Sequence, residues 1–466
     1  MEQSWLLNFP DDILELILKF LKKPGVLACT CKRLRKIWIE RKYVLYNWND
    51  EIMNVFPNIT RIELSYSARR VITTKEPPFF QRLKDLHLNY GLKNEVELIK
   101  KHATQLESLI LPSDLHKYVP DYKTWGHNLT RLTHLQNVDR TFPIDELKNF
   151  TRLVLLNIEE RPEANKSFDL QNLKQLRHLS APIKNVDLLP SQIKILEWHV
   201  NRYEFGNHYS LLTQFTQLST LIIQGSLFFN RKSESIPFAN KEIPLLKTIV
   251  YLKCNSLSHN IQNYFPMFPN LTRLEFSMRL VDENIENLKL LTNLKRLKIS
   301  GRSADLGSSI QTIESIQGKF YSAINQLKQL VSLNIDTNIS SYPSYLNLPN
   351  LKLLMTNDVV QGEFPTLEVF HYSGFLKLDL QPFFSVKYLT ITKCTCLSYQ
   401  SLSNFTNLKG LTVPIMTKEL VLATLFLPKL KQILYIDAPD QNTKKIVKHY
   451  LNALQPSKKK SKKLKT

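Results

Sequence analysis

The chain has 466 residues, 43% apolar and 22% charged, a globular balance that excludes wholesale disorder and leaves length for a large core without disulfide or metal support. Only 11 glycines stand beside 23 prolines, which speaks against glycine-rich nucleotide-binding folds, and the five scattered cysteines favour a reducing compartment over a disulfide framework. The 62 Lys and Arg against 41 Asp and Glu give a formal charge of +21, which suits acidic partners: nucleic acid, an anionic membrane face or an acidic protein.

Met1-Glu2-Gln3 lacks the basic and apolar regions of a signal peptide. No apolar run approaches the ~18 residues of a membrane span, so a cytoplasmic or nuclear location is expected, with no membrane partner. Pro10 sits at a first helical position, with Asp11 and Asp12 in the first turn, where the positive helix end favours them. Ile13, Leu14, Ile17, Leu18 and Leu21 then share one helix face. Lys22-Lys23-Pro24-Gly25 breaks that helix, and Leu34, Ile37 and Trp38 start a second pattern within a basic stretch. Helices this few cannot enclose a core, so their apolar surface is shared with the rest of the chain or with another protein. A plain cap on a repeat array would satisfy the same pattern.

Phe9-Pro10-Asp11-Asp12-Ile13-Leu14, Phe20-Leu21 and Cys31-Lys32-Arg33-Leu34 succeed one another in the order that resembles an F-box. Phe9 replaces the usual leucine, Leu34 the usual tryptophan, and the stretch between Leu21 and Cys31 is short. The resemblance implies that residues 1–48 form a helical module binding a Skp-type adaptor and through it a cullin. It further implies that Phe9, Pro10, Ile13, Leu14, Ile17 and Leu21 make the contact.

Residues 49–439 are repetitive. Phe56-Pro57-Asn58-Ile59-Thr60-Arg61-Ile62-Glu63-Leu64 is nearly copied by Phe268-Pro269-Asn270-Leu271-Thr272-Arg273-Leu274-Glu275-Phe276, with further copies at Leu291–Leu297, Leu348–Leu354 and Phe405–Leu411. First core positions fall at 59, 83, 106, 129, 153, 176, 193, 218, 246, 271, 294, 330, 351, 367, 386, 408 and 430, which makes seventeen units. They resemble leucine-rich repeats, so the expected fold class is α/β: a curved solenoid in which each unit is one short strand and a helical or irregular return. Leu246, Ile249 and Tyr251 followed by Cys254, and Val386, Leu389 and Ile391 followed by Cys394, resemble the cysteine subtype, and Leu330, Leu333 and Ile335 have Asn338 instead. Leu280–Leu288 resembles that subtype's helical return.

The interval from 301 to 326 is an insertion, expected as a loop and then a helix around Tyr321 to Leu327. Ile446, Val447, Tyr450, Leu451 and Leu454 predict a C-terminal cap helix over 440–455. The tail 456–466 carries six lysines and is expected to be disordered, as an import signal or a solubilising extension.

No phosphate loop, helical histidine pair or zinc spacing occurs, so neither a cofactor nor enzymatic activity is expected; Cys29, Cys31, Cys394 and Cys396 have one-residue gaps and no partner pair. The residues two and four after each first core position point away from the core: Arg61 and Glu63, Asp85 and His87, Arg273 and Glu275, Arg296 and Lys298. The residue directly after that position is basic at Lys84, Arg177, Lys194, Lys247, Lys295, Lys352, Lys387, Lys409 and Lys431, which forms either a basic ridge or an ordinary solvated border. Arg273, Lys295, Arg296 and Lys298 are the densest cations and the candidate target site. With the F-box resemblance, the implied function is substrate recognition in a Skp–cullin–F-box ubiquitin ligase. The alternative is a repeat scaffold without a ligase link. An acidic protein is the expected target, and a nucleic acid is not.

Overall fold

The computed structural model describes residues 43–45, 61–64, 83–88, 99–111, 126–138, 144–158, 169–183, 186–199, 209–224, 245–254, 265–279, 283–302, 310–337, 344–374, 379–393, 399–437, 444–446 and 448–449. The chain divides into two compact units, residues 1–199 with 214–218, and residues 200–213 with 219–466. Each is a parallel ladder of the leucine-rich-repeat kind.

In the first unit the strands are β1 (Tyr43–Leu45), β2 (Arg61–Leu64), β3 (Asp85–Leu88), β4 (Ser108–Ile110), β5 (His134–Val138), β6 (Leu155–Ile158), β7 (His178–Ala181) and β8 (Ile195–His199). Each pairs in parallel with the next. β1 lies ahead of residue 49, within the stretch read as the N-terminal module, and pairs with β2.

In the second unit they are β9 (Thr220–Gln224), β10 (Tyr251–Cys254), β11 (Arg273–Arg279), β12 (Arg296–Arg302), β13 (Ser332–Asp336), β15 (Leu353–Thr356), β17 (Val369–Tyr372), β18 (Tyr388–Ile391), β19 (Gly410–Ile415) and β20 (Gln432–Asp437), again all parallel neighbours. A separate parallel pair, β14 (Ser344–Asn347) and β16 (Val360–Glu363), forms the return segments that follow β13 and β15. Only 16 residues separate Leu351 from Leu367. A strand covers about 3.3 Å per residue and an α-helix about 1.5 Å, so an extended return suits this circuit, while the 17-residue interval from Leu176 to Ile193 closes with one 3-10 turn at Val186–Leu188.

The repeat motif has a definite local meaning. The apolar residue three before the first core position opens a tight turn whose carbonyl accepts the amide of the core residue: Phe150 from Leu153 at 2.9 Å, Phe268 from Leu271 at 3.1 Å, Leu291 from Leu294 at 3.0 Å. The recurrent Asn sits one before the core residue and ties its unit to the previous one. Asn270 Nδ2 donates to Lys247 O at 2.8 Å, Asn293 Nδ2 to Pro269 O at 3.0 Å and Asn350 Nδ2 to Lys328 O at 2.9 Å. The core leucines then stack in register, Leu274 beside Leu297 and Leu333 beside Leu354, each 2% exposed or less. Burying a leucine contributes about 1.5–3 kcal/mol, and no unit realises this alone.

Two units are out of register with the sequence expectation. The pairing of Ser108 with His134 makes Leu132, not Leu129, the first core residue of the β5 unit, while Leu129 opens its turn. The pairing of Thr220 with Tyr251 likewise makes Ile249, not Leu246, the first core residue before β10. Cys254 is therefore a strand residue between Ile223 and Phe276 rather than the turn residue of a cysteine subtype. Cys394 and Asn338 lie outside the described residues.

The insertion's helix is α1 (Ile310–Asn325), which begins eleven residues before Tyr321 because Ile310, Ile313, Ile316, Phe320 and Ile324 recur at helical spacing. It is pinned by buried polar groups: Tyr321 OH donates to Asp358 Oδ2 at 3.0 Å, Thr337 Oγ1 to the same oxygen at 2.8 Å, and Gln317 Nε2 to Ser344 Oγ at 2.6 Å. The return at Glu283–Leu290 is a 3-10 helix that overlaps Leu280–Leu288, where the sequence placed a helix, and runs two residues past it. Near the C-terminus, residues 444–446 and 448–449 are helical and exposed, and the other predicted cap residues fall outside the described ones.

Candidate binding surface

The strand alternation sends alternate side chains out of each ladder, and parallel register lines them up from unit to unit. On β10, β11 and β12, Tyr251, Arg273 and Arg296 form one row, and Lys253, Glu275 and Lys298 form the next. Four cations and one carboxylate thus occupy three neighbouring strands, roughly 4.8 Å apart.

The cations are not equivalent. Arg273 Nε donates to Glu275 Oε1 at 3.0 Å, and its guanidinium lies over the Tyr251 ring, 4.3 Å from the centroid. Burial pushes the Glu275 carboxyl up, but the hydrogen bond and charge of Arg273, the Tyr251 hydroxyl and nearby Lys298 together hold it below its usual range. The Tyr251 phenol is raised by its burial and then by Glu275. Arg273 is therefore engaged within the chain, whereas Arg296 and Lys298 are exposed. Beyond them, Ser277 and Ser300 place their hydroxyls 2.8 Å apart. The register sets Arg273, Arg296 and Lys298 side by side and adds Tyr251 and Lys253, which the misplaced register of their unit had hidden in the sequence.

Lys295 stands at the sheet border, one residue before Arg296 and outside the two rows. The border is a weaker cation ridge than the sequence suggested. Lys247 leaves it with the corrected register, and Val250 stands there instead, 40% exposed. Lys84 pairs with Glu107 at 2.9 Å and Lys387 with Glu368 at 3.1 Å. Lys409 and Lys431 continue it in the last units, the amide of each bonding the preceding border carbonyl.

On the return side, Glu286 lies 3.9 Å from Lys289 and 4.0 Å from Lys319 along a cavity of about 610 Å³ beside Gly318 and Ser322. Among the described residues no group of three His, Cys, Asp or Glu is placed to hold a metal, and no helix is long and apolar enough to cross a membrane. Phe9, Pro10, Ile13, Leu14, Ile17 and Leu21 lie outside the described residues, as do Cys29, Cys31 and Cys396.

No family model matches the chain, and no curated protein does. Among solved structures it is similar to an internalin (InlF) of Listeria monocytogenes, at 15% identity over 79% of this chain and 80% of that one with a TM-score of 0.24. The mouse RP105/MD-1 complex matches at 14% identity over 88% of both chains with a TM-score of 0.37. The leucine-rich-repeat domain of APL1 matches at 11% identity over 83% and 86% with a TM-score of 0.27. Likeness at this level fixes neither a family nor a partner, so function rests on the chain's own residues.

Proposed function

We propose that this chain is a protein-binding module that captures an acidic segment of its partner on the outward face of β10–β12. The supporting observation is the exposed pair Arg296 and Lys298, next to an Arg273 already held by Glu275. A partner carboxylate meets two exposed cations there, with the Arg273–Glu275 ion pair beside them on the neighbouring strand. Charged surfaces of this kind raise association rates and lose strength as salt screens them. The test is titration of the full chain with a fluorescent glutamate-rich peptide. Arg296→Glu combined with Lys298→Glu is expected to weaken binding by about tenfold or more, some 1.4 kcal/mol, and to flatten its salt dependence. Unchanged affinity would move the site elsewhere.

The finer reading is that this module serves a ubiquitin ligase as substrate receptor. What supports it is the order of Phe9-Pro10, Phe20-Leu21 and Cys31-Lys32-Arg33 in the N-terminal segment. The chain would then do no chemistry itself; it would raise the target's effective concentration beside the ubiquitin carrier. Leu14→Asp puts a charge into an interface that must be apolar, an expected loss of several kcal/mol. Pull-down of a Skp-type adaptor should fail for this variant while the ladder's melting curve stays in place. Adaptor capture that survives the substitution removes the ligase role and leaves the binding module.

A further inference from the structure

We propose that the outward face of β15–β19 docks an apolar stretch of the same partner, so that the captured segment joins an acidic block to an apolar or aromatic one. This rests on the acidic-segment reading of β10–β12 and adds the partner's second half. Sheet positions that face water ordinarily carry polar or charged side chains. Here Leu353, Met355, Val369, His371, Tyr388 and Thr390 hold those positions on three consecutive ladder strands. None is an acid, a lysine or an arginine, and burial of His371 disfavours its charged form. The contrast with the charged rows of β10–β12 lies within one unit of the molecule.

Tyr388 gives this face its form. It is 45% exposed, and its ring lies across β19 at Gly410. A Cβ at Gly410 would sit 2.8 Å from Tyr388 Cδ1 and 3.3 Å from Cε1, so any larger residue would lift the ring away. Glycine inside a strand is destabilising, and what it provides here is a flat aromatic surface facing outward. Lys352, Lys387, Lys409 and Lys431 line the adjoining border, with Glu368 between the first two. An apolar stretch accompanied by acidic residues complements both features; one accompanied by basic residues would be repelled. A nucleic acid would find lysines and the rings of Tyr388 and His371, but Leu353, Met355 and Val369 offer its bases neither stacking nor hydrogen bonds. From β12 to β18 the ladder takes four steps of roughly 4.8 Å, about 19 Å, which an extended peptide spans in about six residues. The acidic and apolar blocks are therefore expected within one short segment.

The experiment pans a displayed random peptide library against the full chain at physiological salt. Enriched peptides should pair acidic residues with Leu, Phe, Tyr or Met a few positions away. Val369→Ser with Tyr388→Ser should weaken them about tenfold. The same variant should leave a purely glutamate-rich peptide unaffected. If Val369→Ser fails to fold, the exposed Tyr388→Ser variant carries the test alone. Acidic peptides without apolar enrichment, or binding indifferent to both substitutions, would overturn the inference while sensitivity to Arg296→Glu and Lys298→Glu kept the acidic reading alive. Loss of that charge sensitivity as well would take down the acidic reading too. Displacement of the selected peptides by an equal concentration of oligo(dT) would assign the face to nucleic acid and likewise overturn the proposal.

Discussion

Cys254 shows how far one side chain's chemistry depends on its place in the ladder. It is 1% exposed, sits between Ile223 and Phe276 in register, and burial pushes its thiol up to about 12. The thiolate is the reactive form, and with such a pKa only about one thiol in ten thousand is ionised at pH 8. Native protein treated with iodoacetamide at that pH should therefore yield an unmodified Cys254 peptide, and the same treatment in urea should label it. Labelling of Cys254 without denaturant would show that β10 opens or that the thiol lies elsewhere. The residue behaves as a small apolar filler. Reading it from sequence as a turn cysteine put it three residues too late in its unit, because Leu246-x-x-Ile249-x-Tyr251 and Ile249-x-x-Leu252-x-Cys254 satisfy the motif equally well.

The unit of this architecture is a tight turn followed by a strand, and most units were legible in the sequence because the two apolar signals are locked together. An opening Leu or Phe lies three residues before the core leucine, the strand starts two residues after it, and Leu294, Leu351 and Leu408 all obey this spacing. The β5 unit was misread for a physical reason. Its register shifts between Leu135 and Val138, and Asn137 adopts a φ of 60°, the left-handed conformation that asparagine tolerates better than most residues. The bulge moves the third core residue from Asn137 to Val138, which pairs with Ile158, so the motif is broken where the strand is intact. The extended returns β14 and β16 were missed because their residues carry no signature that separates an extended return from the 3-10 turns of units of similar length. The asparagine ladder yields a prediction at this scale. Asn293→Ala removes the bond to Pro269 O and is expected to cost about 0.5–1.5 kcal/mol in urea unfolding, with Asn293→Gln losing part of that through its longer side chain. A cost near zero would mean that water replaces the amide without penalty and that the recurrent asparagine has some other role.

At the scale of the whole chain, charge and fold pull in opposite directions, and salt separates them. A formal charge of +21 repels itself in the compact state, and the outward rows of β10–β12 hold Lys253, Arg273, Arg296 and Lys298 against one carboxylate, Glu275. Neighbouring strands lie roughly 4.8 Å apart, inside the ~10 Å Debye length of 0.1 M salt, so these cations feel one another at moderate ionic strength. At about 1 M the screening length falls to ~3 Å and that repulsion is largely gone. The exposed pairs Lys84–Glu107 and Lys387–Glu368 weaken at the same time, but surface pairs contribute only about 0–1 kcal/mol and do not outweigh the relief of a large net charge. The expected outcome is a melting temperature that rises as sodium chloride increases. Affinity for a glutamate-rich peptide should fall over the same range, because that attraction is screened by the same ions. Using chloride, rather than sulfate, keeps the anion's general strengthening of apolar burial small. Thermal melts and peptide titrations on one set of samples would then move in opposite senses. Melting and affinity that fall together would mean that ion pairs dominate the ladder's stability, and affinity indifferent to salt would remove the cationic face as the point of capture.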